Sequence, residues 1–172
     1  MKKSLEKRFS YLYTGEIFAA ILFIFLSYYF NSTNPQFHLY SLFSFWFSFI
    51  LLGLFLFQGA YYWHVKWKRL RTENKVKTPF KVVRKFKLFK TLNTGLLIVP
   101  ILGFVVDYIK WNNLLPIRGL LISVFIYIFA ILEYINYFYF QLSYDNRMDI
   151  EYLRKNKRLK KSSINKDLEN LK

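Results

Sequence analysis

Residues 118–140 read RGLLISVFIYIFAILEYINYFYF, and the fold class can be argued from this stretch outward. After Arg118 it holds one charged residue, Glu133, and its length suits a helix that crosses a hydrocarbon core about 30 Å thick. Because lipid offers no partner to backbone amides, a spanning segment of this kind must be helical. The stretch therefore predicts a transmembrane helix.

Three other stretches have the same character, at residues 11–30, 39–63 and 89–106. Strict alternation of apolar and polar residues, which a transmembrane barrel would need, is not sustained anywhere along the chain. We therefore predict an all-α integral membrane protein, an antiparallel four-helix transmembrane bundle. Residues 1–140 would form the membrane domain, with a basic connection at 64–88, and residues 141–172 a basic tail.

The composition agrees with a membrane protein. The 172 residues are 54% hydrophobic and include 20 Phe, 14 Tyr and 4 Trp, yet the net charge is +16. A soluble domain of this size would leave large apolar patches in water. The absence of cysteine excludes disulfides, thiol catalysis and thiolate metal sites.

The basic residues predict the orientation. Of the 26 Lys and Arg residues, 24 lie in residues 2–8, 66–90 and 147–172, and only Lys110 and Arg118 lie on the other side. Lys and Arg are retained in the cytoplasm, so both termini should be cytoplasmic. Bulky aromatics end the first stretch where a signal peptide would have small residues, so we expect it to remain as a span. Frequent Lys, Asn, Ile, Phe and Tyr suggest an AT-rich bacterial genome. Together with the four predicted spans, this predicts a multi-pass protein of the bacterial cytoplasmic membrane.

Each predicted span carries a polar residue at a similar depth. At about 1.5 Å per residue, these groups lie about 7 to 11 Å from the cytoplasmic boundary. They form a candidate intramembrane polar layer: Glu16, Gln58, Thr94, Glu133 and Asn136. Since an ionised carboxylate in lipid is costly, Glu16 and Glu133 should face the interior of the bundle.

This layer has two interpretations. In the structural one, the carboxyl groups hydrogen-bond neighbouring polar side chains and hold the helices in register. In the other, Glu16 and Glu133 form the proton site of a small transporter. Glu16 resembles the single first-helix carboxylate of small multidrug transporters, but this chain is longer and its second connection is long and basic.

Other chemistry finds no support in the sequence. We expect no enzyme activity, no metal site and no cofactor, since phosphate-loop, zinc and nucleophile-elbow motifs are absent. His38 and His64 lie at opposite ends of the second span, too far apart to bind one haem. Asp107 should form a surface pair with Lys110 at the outer mouth.

The basic connection predicts an amphipathic helix that leads into the third span. Thr78 and Pro79 suit an N-cap followed by the first helical position. Apolar residues would lie on one face in the membrane interface, and the other face supplies candidate contacts to anionic lipid headgroups: Lys81, Arg84, Lys85 and Lys87. No recognition motif accompanies these charges, so we expect no nucleic-acid binding.

The tail is predicted to extend the fourth span as a helix past residue 144. Ile164, Leu168 and Leu171 form an apolar stripe that must contact lipid or a partner.

The end of the chain also resembles a known group of proteins. Residues 133–137 (EYINY), followed by 141–146 (QLSYDN) and a basic tail, resemble small four-span membrane proteins of Gram-positive bacteria described only as general-stress or hypothetical proteins. The resemblance covers about the last forty residues and implies no activity. It draws attention to a boundary polar motif, Tyr144, Asp145 and Asn146, beside Glu133 and Asn136.

Together these patterns predict a non-catalytic, accessory, regulatory or stress-related membrane protein that acts through its basic cytoplasmic face. The expected partners are the bilayer with its anionic phospholipid headgroups and another membrane protein or a second copy of this chain. A small proton-coupled transporter is the alternative.

Overall fold

The computed structural model describes residues 2–144 and 147–171. Within these residues the chain forms seven α-helices and three short 3₁₀ turns. The helices are α1 (Lys2–Thr33), α2 (Phe43–Glu73), α3 (Phe80–Leu96), α4 (Val99–Trp111), α5 (Ile117–Phe138), α6 (Arg147–Asn156) and α7 (Ser163–Glu169).

Four helical segments are long and apolar enough to cross a membrane: α1, α2, α3 together with α4, and α5. The predicted all-α class and the four apolar helices are confirmed. Two predicted boundaries shift, because residues 39–41 form a 3₁₀ turn before α2 and α5 ends at Phe138.

Helix α2 is the centre of the bundle. It packs against α1, α4 and α5. Half of the residues in its most apolar 18-residue stretch are buried, whereas only 11% are buried in the corresponding stretch of α1. Phe45, Leu52 and Phe55 on α2 are buried completely or nearly so. Helix α1 instead exposes large side chains such as Phe18 and Phe25, a surface that suits contact with hydrocarbon rather than water.

The third membrane-length segment is interrupted between α3 and α4. Pro100 has no amide hydrogen, and Ile101 bonds the carbonyl of Ile98 rather than that of Leu97. The Tyr127 hydroxyl donates to the Leu97 oxygen at 2.7 Å. A side chain of α5 therefore satisfies a carbonyl that the interrupted helix leaves unpaired, as a low-dielectric environment requires.

Asp107 lies at the N-terminus of α2. Its two carboxylate oxygens accept the backbone amides of Phe43 at 2.9 Å and Ser44 at 2.8 Å, and the side chain is fully buried. The predicted surface pair with Lys110 is wrong, since Lys110 donates to the Ser41 carbonyl instead. The unpaired amides of a helix N-terminus, with their partial positive charge, explain why a carboxylate is held there.

The tail turns back and packs against the end of α5, so the predicted continuous extension of α5 as a helix is wrong. The amide of Gln141 donates to the Lys160 carbonyl and the amide of Ser162 to the Tyr139 carbonyl. The Ser162 hydroxyl also donates to the Tyr137 carbonyl at 2.5 Å, and its oxygen caps α7. Ser162 thus donates hydrogen bonds to two carbonyls at the end of α5. These bonds hold the chain in a reversal there, where a continuing helix would have used the carbonyls itself.

The N-terminus of α1, the connection between α2 and α3, and the tail all meet at one end of the bundle, called the basic end below. Glu6 and Arg71 join α1 to α2 there, with 3.9 Å between carboxylate oxygen and guanidinium nitrogen. Two residues of the predicted apolar stripe of the tail, Ile164 and Leu168, are covered by the chain itself, while Leu171 stays partly exposed. Ile164 is only 3% exposed and Leu168 packs against the core.

Candidate functional site

A polar cavity of about 290 Å³ opens at the basic end. Glu16 on α1 and Glu133 on α5 both line it, together with Asn136 and Tyr137. Residues 160–164 of the tail form another part of its wall. The two acidic residues predicted to face the interior thus face one common space.

Glu16 is held by a residue that the sequence analysis did not single out as its partner. The Tyr137 hydroxyl donates to Glu16 Oε2 at 2.5 Å, and this bond joins α1 to α5. It passes over Gly59 of α2, where a Cβ atom would lie 2.5 Å from the Tyr137 hydroxyl oxygen and 3.1 Å from Glu16 Oε1. Gly59 therefore leaves the space that the bond occupies.

Glu133 and Asn136 lie one turn apart on α5. The Asn136 amide nitrogen donates to Glu133 Oε2 at 3.2 Å, and the Asn136 amide oxygen accepts the backbone amide of Leu142 at 2.8 Å. Asn136 thus links the carboxylate to the chain reversal after α5.

Gln58 and Thr94 do not line this cavity. Gln58 exchanges two hydrogen bonds with Asn93 on α3, at 2.7 and 3.2 Å, and Thr94 shares a 2.7 Å bond with Tyr134. The five residues of the predicted layer therefore fall into two groups, one around the cavity and one fastening α3 to α2 and α5. Asn93 is a polar residue inside the third predicted span and could have been found by that criterion alone.

The four candidate lipid contacts on α3 are all exposed: Lys81, Arg84, Lys85 and Lys87. The opposite face is buried in the protein. Phe86 is 1% exposed and its ring contacts those of Tyr61, Tyr62 and Phe138. The prediction that this apolar face lies in the membrane interface is therefore wrong, because α2, α5 and the tail cover it.

A second polar cluster fastens the tail. Asp167 on α7 accepts hydrogen bonds from the Tyr62 hydroxyl at 2.6 Å and the Thr78 hydroxyl at 2.5 Å, and its carboxylate lies 3.2 Å from the Lys66 ammonium. The predicted N-cap role of Thr78 is wrong, since Pro79 occupies the cap position. Asp167 was missed because one acid in a charged tail gives no local signal.

The boundary polar motif is only partly described. The Tyr144 hydroxyl accepts the backbone amide of Lys160 at 3.0 Å, which adds a contact across the chain reversal. Asp145 and Asn146 lie outside the described residues.

Among residues 2–144 and 147–171 there is no group of three or more His, Cys, Asp or Glu side chains that could hold a metal ion. No protein family, no curated protein and no solved structure matches the chain. The resemblance to small four-span proteins of Gram-positive bacteria thus stays a prediction.

Proposed function

We propose that this chain is a non-catalytic protein of the bacterial cytoplasmic membrane that acts as an accessory, regulatory or stress-related factor through its basic end. The observation that carries the proposal is the basic face of α3, defined by Lys81, Arg84, Lys85 and Lys87. All four side chains are exposed while the other face of the same helix is fixed in the core.

The basic face of α3 is held in a fixed position by the residues on the other side of the helix. Phe86 and Val82 anchor α3 on the bundle, and the Asp167 cluster fastens α7 beside it. The cations are therefore presented by a rigid support. Each basic residue beside an anionic membrane surface contributes about 1 kcal/mol of attraction, so the face suits headgroups or an acidic partner held at the membrane.

The orientation follows from the charge distribution. Of the 26 Lys and Arg residues, 24 lie in residues 2–8, 66–90 and 147–172, and the retention of positive charge on the cytoplasmic side supports a cytoplasmic basic end and cytoplasmic termini. The carboxyl groups of the cavity then have a structural role, because Glu16 and Glu133 each bond a neighbouring side chain of α5.

Photo-crosslinking in intact cells tests the proposal. A photoreactive amino acid at position 84 should give a reproducible adduct with a membrane-associated partner, and changing Lys81, Lys85 and Lys87 to Gln should remove it. The matched control carries Gln at Lys2, Lys3 and Lys155, which neutralises three cations elsewhere, and should keep the adduct. Equal loss in both variants, or no adduct at position 84 beyond that at the exposed Leu121 of α5, would overturn the proposal.

A proton-coupled transporter is the second candidate, because Glu16 and Glu133 line one cavity. Towards the opposite end, the neighbouring interior is apolar. It holds the buried Ala20 and Ala130 and the contact between the rings of Phe23 and Phe129, 5.8 Å apart.

The two candidates differ in proteoliposomes. A transporter moves protons in a manner that Glu16→Gln and Glu133→Gln abolish and that the exposed Glu73→Gln leaves unchanged. The accessory role predicts no flux from the wild-type protein above that of empty liposomes.

A further inference from the structure

A second, apolar depression lies on the side of the bundle between α1 and α3, with α2 as its floor. Its volume is about 690 Å³. Its walls include Phe23 and Ile24 of α1, Ile50, Phe57 and Tyr61 of α2, and Phe89 of α3. We call it the lateral groove.

Gly53 keeps the lateral groove open. It lies in the floor, and a Cβ atom built there would meet no other atom within 4 Å. The first atom of a larger side chain at this position would therefore lie in open space. Substitution of Gly53 is thus a means of filling the groove.

The length of the groove matches one leaflet. Its floor runs from Phe49 to Tyr61, twelve residues along α2 and therefore about 18 Å. Half of a hydrocarbon core about 30 Å thick is of similar depth. Tyr61 and Phe89 mark the end of the groove that points to the basic end.

Two cations lie beyond this end on the same helices. Lys85 precedes Phe89 by one turn of α3, and Lys68 follows Tyr61 by two turns on the same face of α2. Both side chains are exposed. A polar group at the mouth of the groove thus meets positive charge, while the groove itself is lined mostly by apolar side chains. Gln58, the amide in its lining, is already bonded to Asn93.

We propose that the lateral groove binds one acyl chain of an anionic phospholipid from the leaflet at the basic end, with the phosphate-bearing headgroup against Lys68 and Lys85. This inference deepens the proposed function and rests on its membrane placement. It names a lipid as a resident ligand of the bundle, separate from contacts along the whole basic face. The apolar length supplies affinity, and the two lysines supply preference for negative headgroups.

Native mass spectrometry of the full chain, released from detergent micelles, tests the proposal. Phosphatidylglycerol and phosphatidylcholine with identical acyl chains are titrated separately. Phosphatidylglycerol should bind more tightly, and Lys68→Gln with Lys85→Gln should weaken it by about fivefold for each lysine without affecting phosphatidylcholine. Lys155→Gln, an exposed cation on α6, is the control and should change neither lipid.

Variants that fill the lateral groove form the second part of the lipid-binding test. Gly53→Leu should lower the binding of both lipids. Gly15→Leu, at a helical glycine whose Cβ position is equally open but lies outside the groove, should leave both unchanged. Unchanged binding in Gly53→Leu, equal loss in Gly15→Leu, or equal affinity of the wild-type protein for the two lipids would overturn the inference. A photo-adduct at position 84 that persists in Gly53→Leu would show that the proposed function stands without it.

Discussion

Gly59 shows how one missing side chain shapes the candidate site. Two hydrogen-bonded groups from different helices, Glu16 and Tyr137, meet where a Cβ atom of this residue would lie. Sequence reasoning placed Glu16 in the interior of the bundle but did not single out Tyr137 as its partner. It did not pair them, because the contact joins residues 121 positions apart and depends on a glycine of a third helix.

We expect Gly59→Ala to destabilise the protein. The new methyl group would overlap the Tyr137 hydroxyl, and overpacking of this kind costs about 1–3 kcal/mol. Gly15→Ala, where the added atom meets open space, should be neutral or slightly stabilising, since Ala favours helices more than Gly. Thermal unfolding of both variants in detergent micelles measures the difference. Equal stability of the two would show that the bond does not need the glycine.

Glu133 separates a structural role from a proton-binding one. Glu133→Gln keeps an oxygen that can accept from Asn136, so stability and cellular abundance should change little. Glu133→Ala leaves the Asn136 amide without that partner and should lower the free energy of unfolding by about 1–3 kcal/mol. Unfolding assays and immunoblots of membranes supply the measurement. A Gln variant as unstable as the Ala variant would mean that the charge itself holds the bundle.

At the scale of the element, local signals predicted the helices well and their junctions poorly. The length and the apolar character of each long helix are properties of its own segment, so the four long helices could be found from the sequence. The cap of α2 comes from Asp107, 63 and 64 residues away, and α7 is fastened by side chains 89 and 105 residues distant. No local pattern carries such contacts, and for that reason the tail was predicted to continue α5.

Helix α7 should depend on one carboxylate. Asp167→Ala removes the partner of Tyr62, Thr78 and Lys66 at once, and an unpaired ammonium that is largely buried makes this loss costly, by about 3 kcal/mol or more. We expect faster amide hydrogen exchange across residues 160–171. Glu169→Ala, which breaks only the exposed pair with Lys161, should leave exchange in this segment nearly unchanged. Slow exchange in the Asp167 variant would show that the other contacts, such as the burial of Ile164 and the bonds of Ser162, are enough to hold the tail.

For the molecule as a whole, charge distribution gives the sharpest prediction. Reporter fusions after residue 172 and within residues 66–90 should report the cytoplasm, and a fusion near Asn34 should report the outside, because 24 of 26 basic residues lie in residues 2–8, 66–90 and 147–172. Paired phosphatase and fluorescent-protein reporters provide internal controls at each site. An external C-terminus would contradict the proposed orientation.

The capping of α2 by Asp107 also bears on biosynthesis. At about 5–20 residues per second, the 63 to 64 residues between Ser44 or Phe43 and Asp107 take about 3 to 13 s to synthesise. During this interval the amides of Phe43 and Ser44 lack the carboxylate that binds them in the folded protein. Since the side chain that completes this helix end arrives with the third span, the two spans should mature in the membrane as one unit rather than in succession.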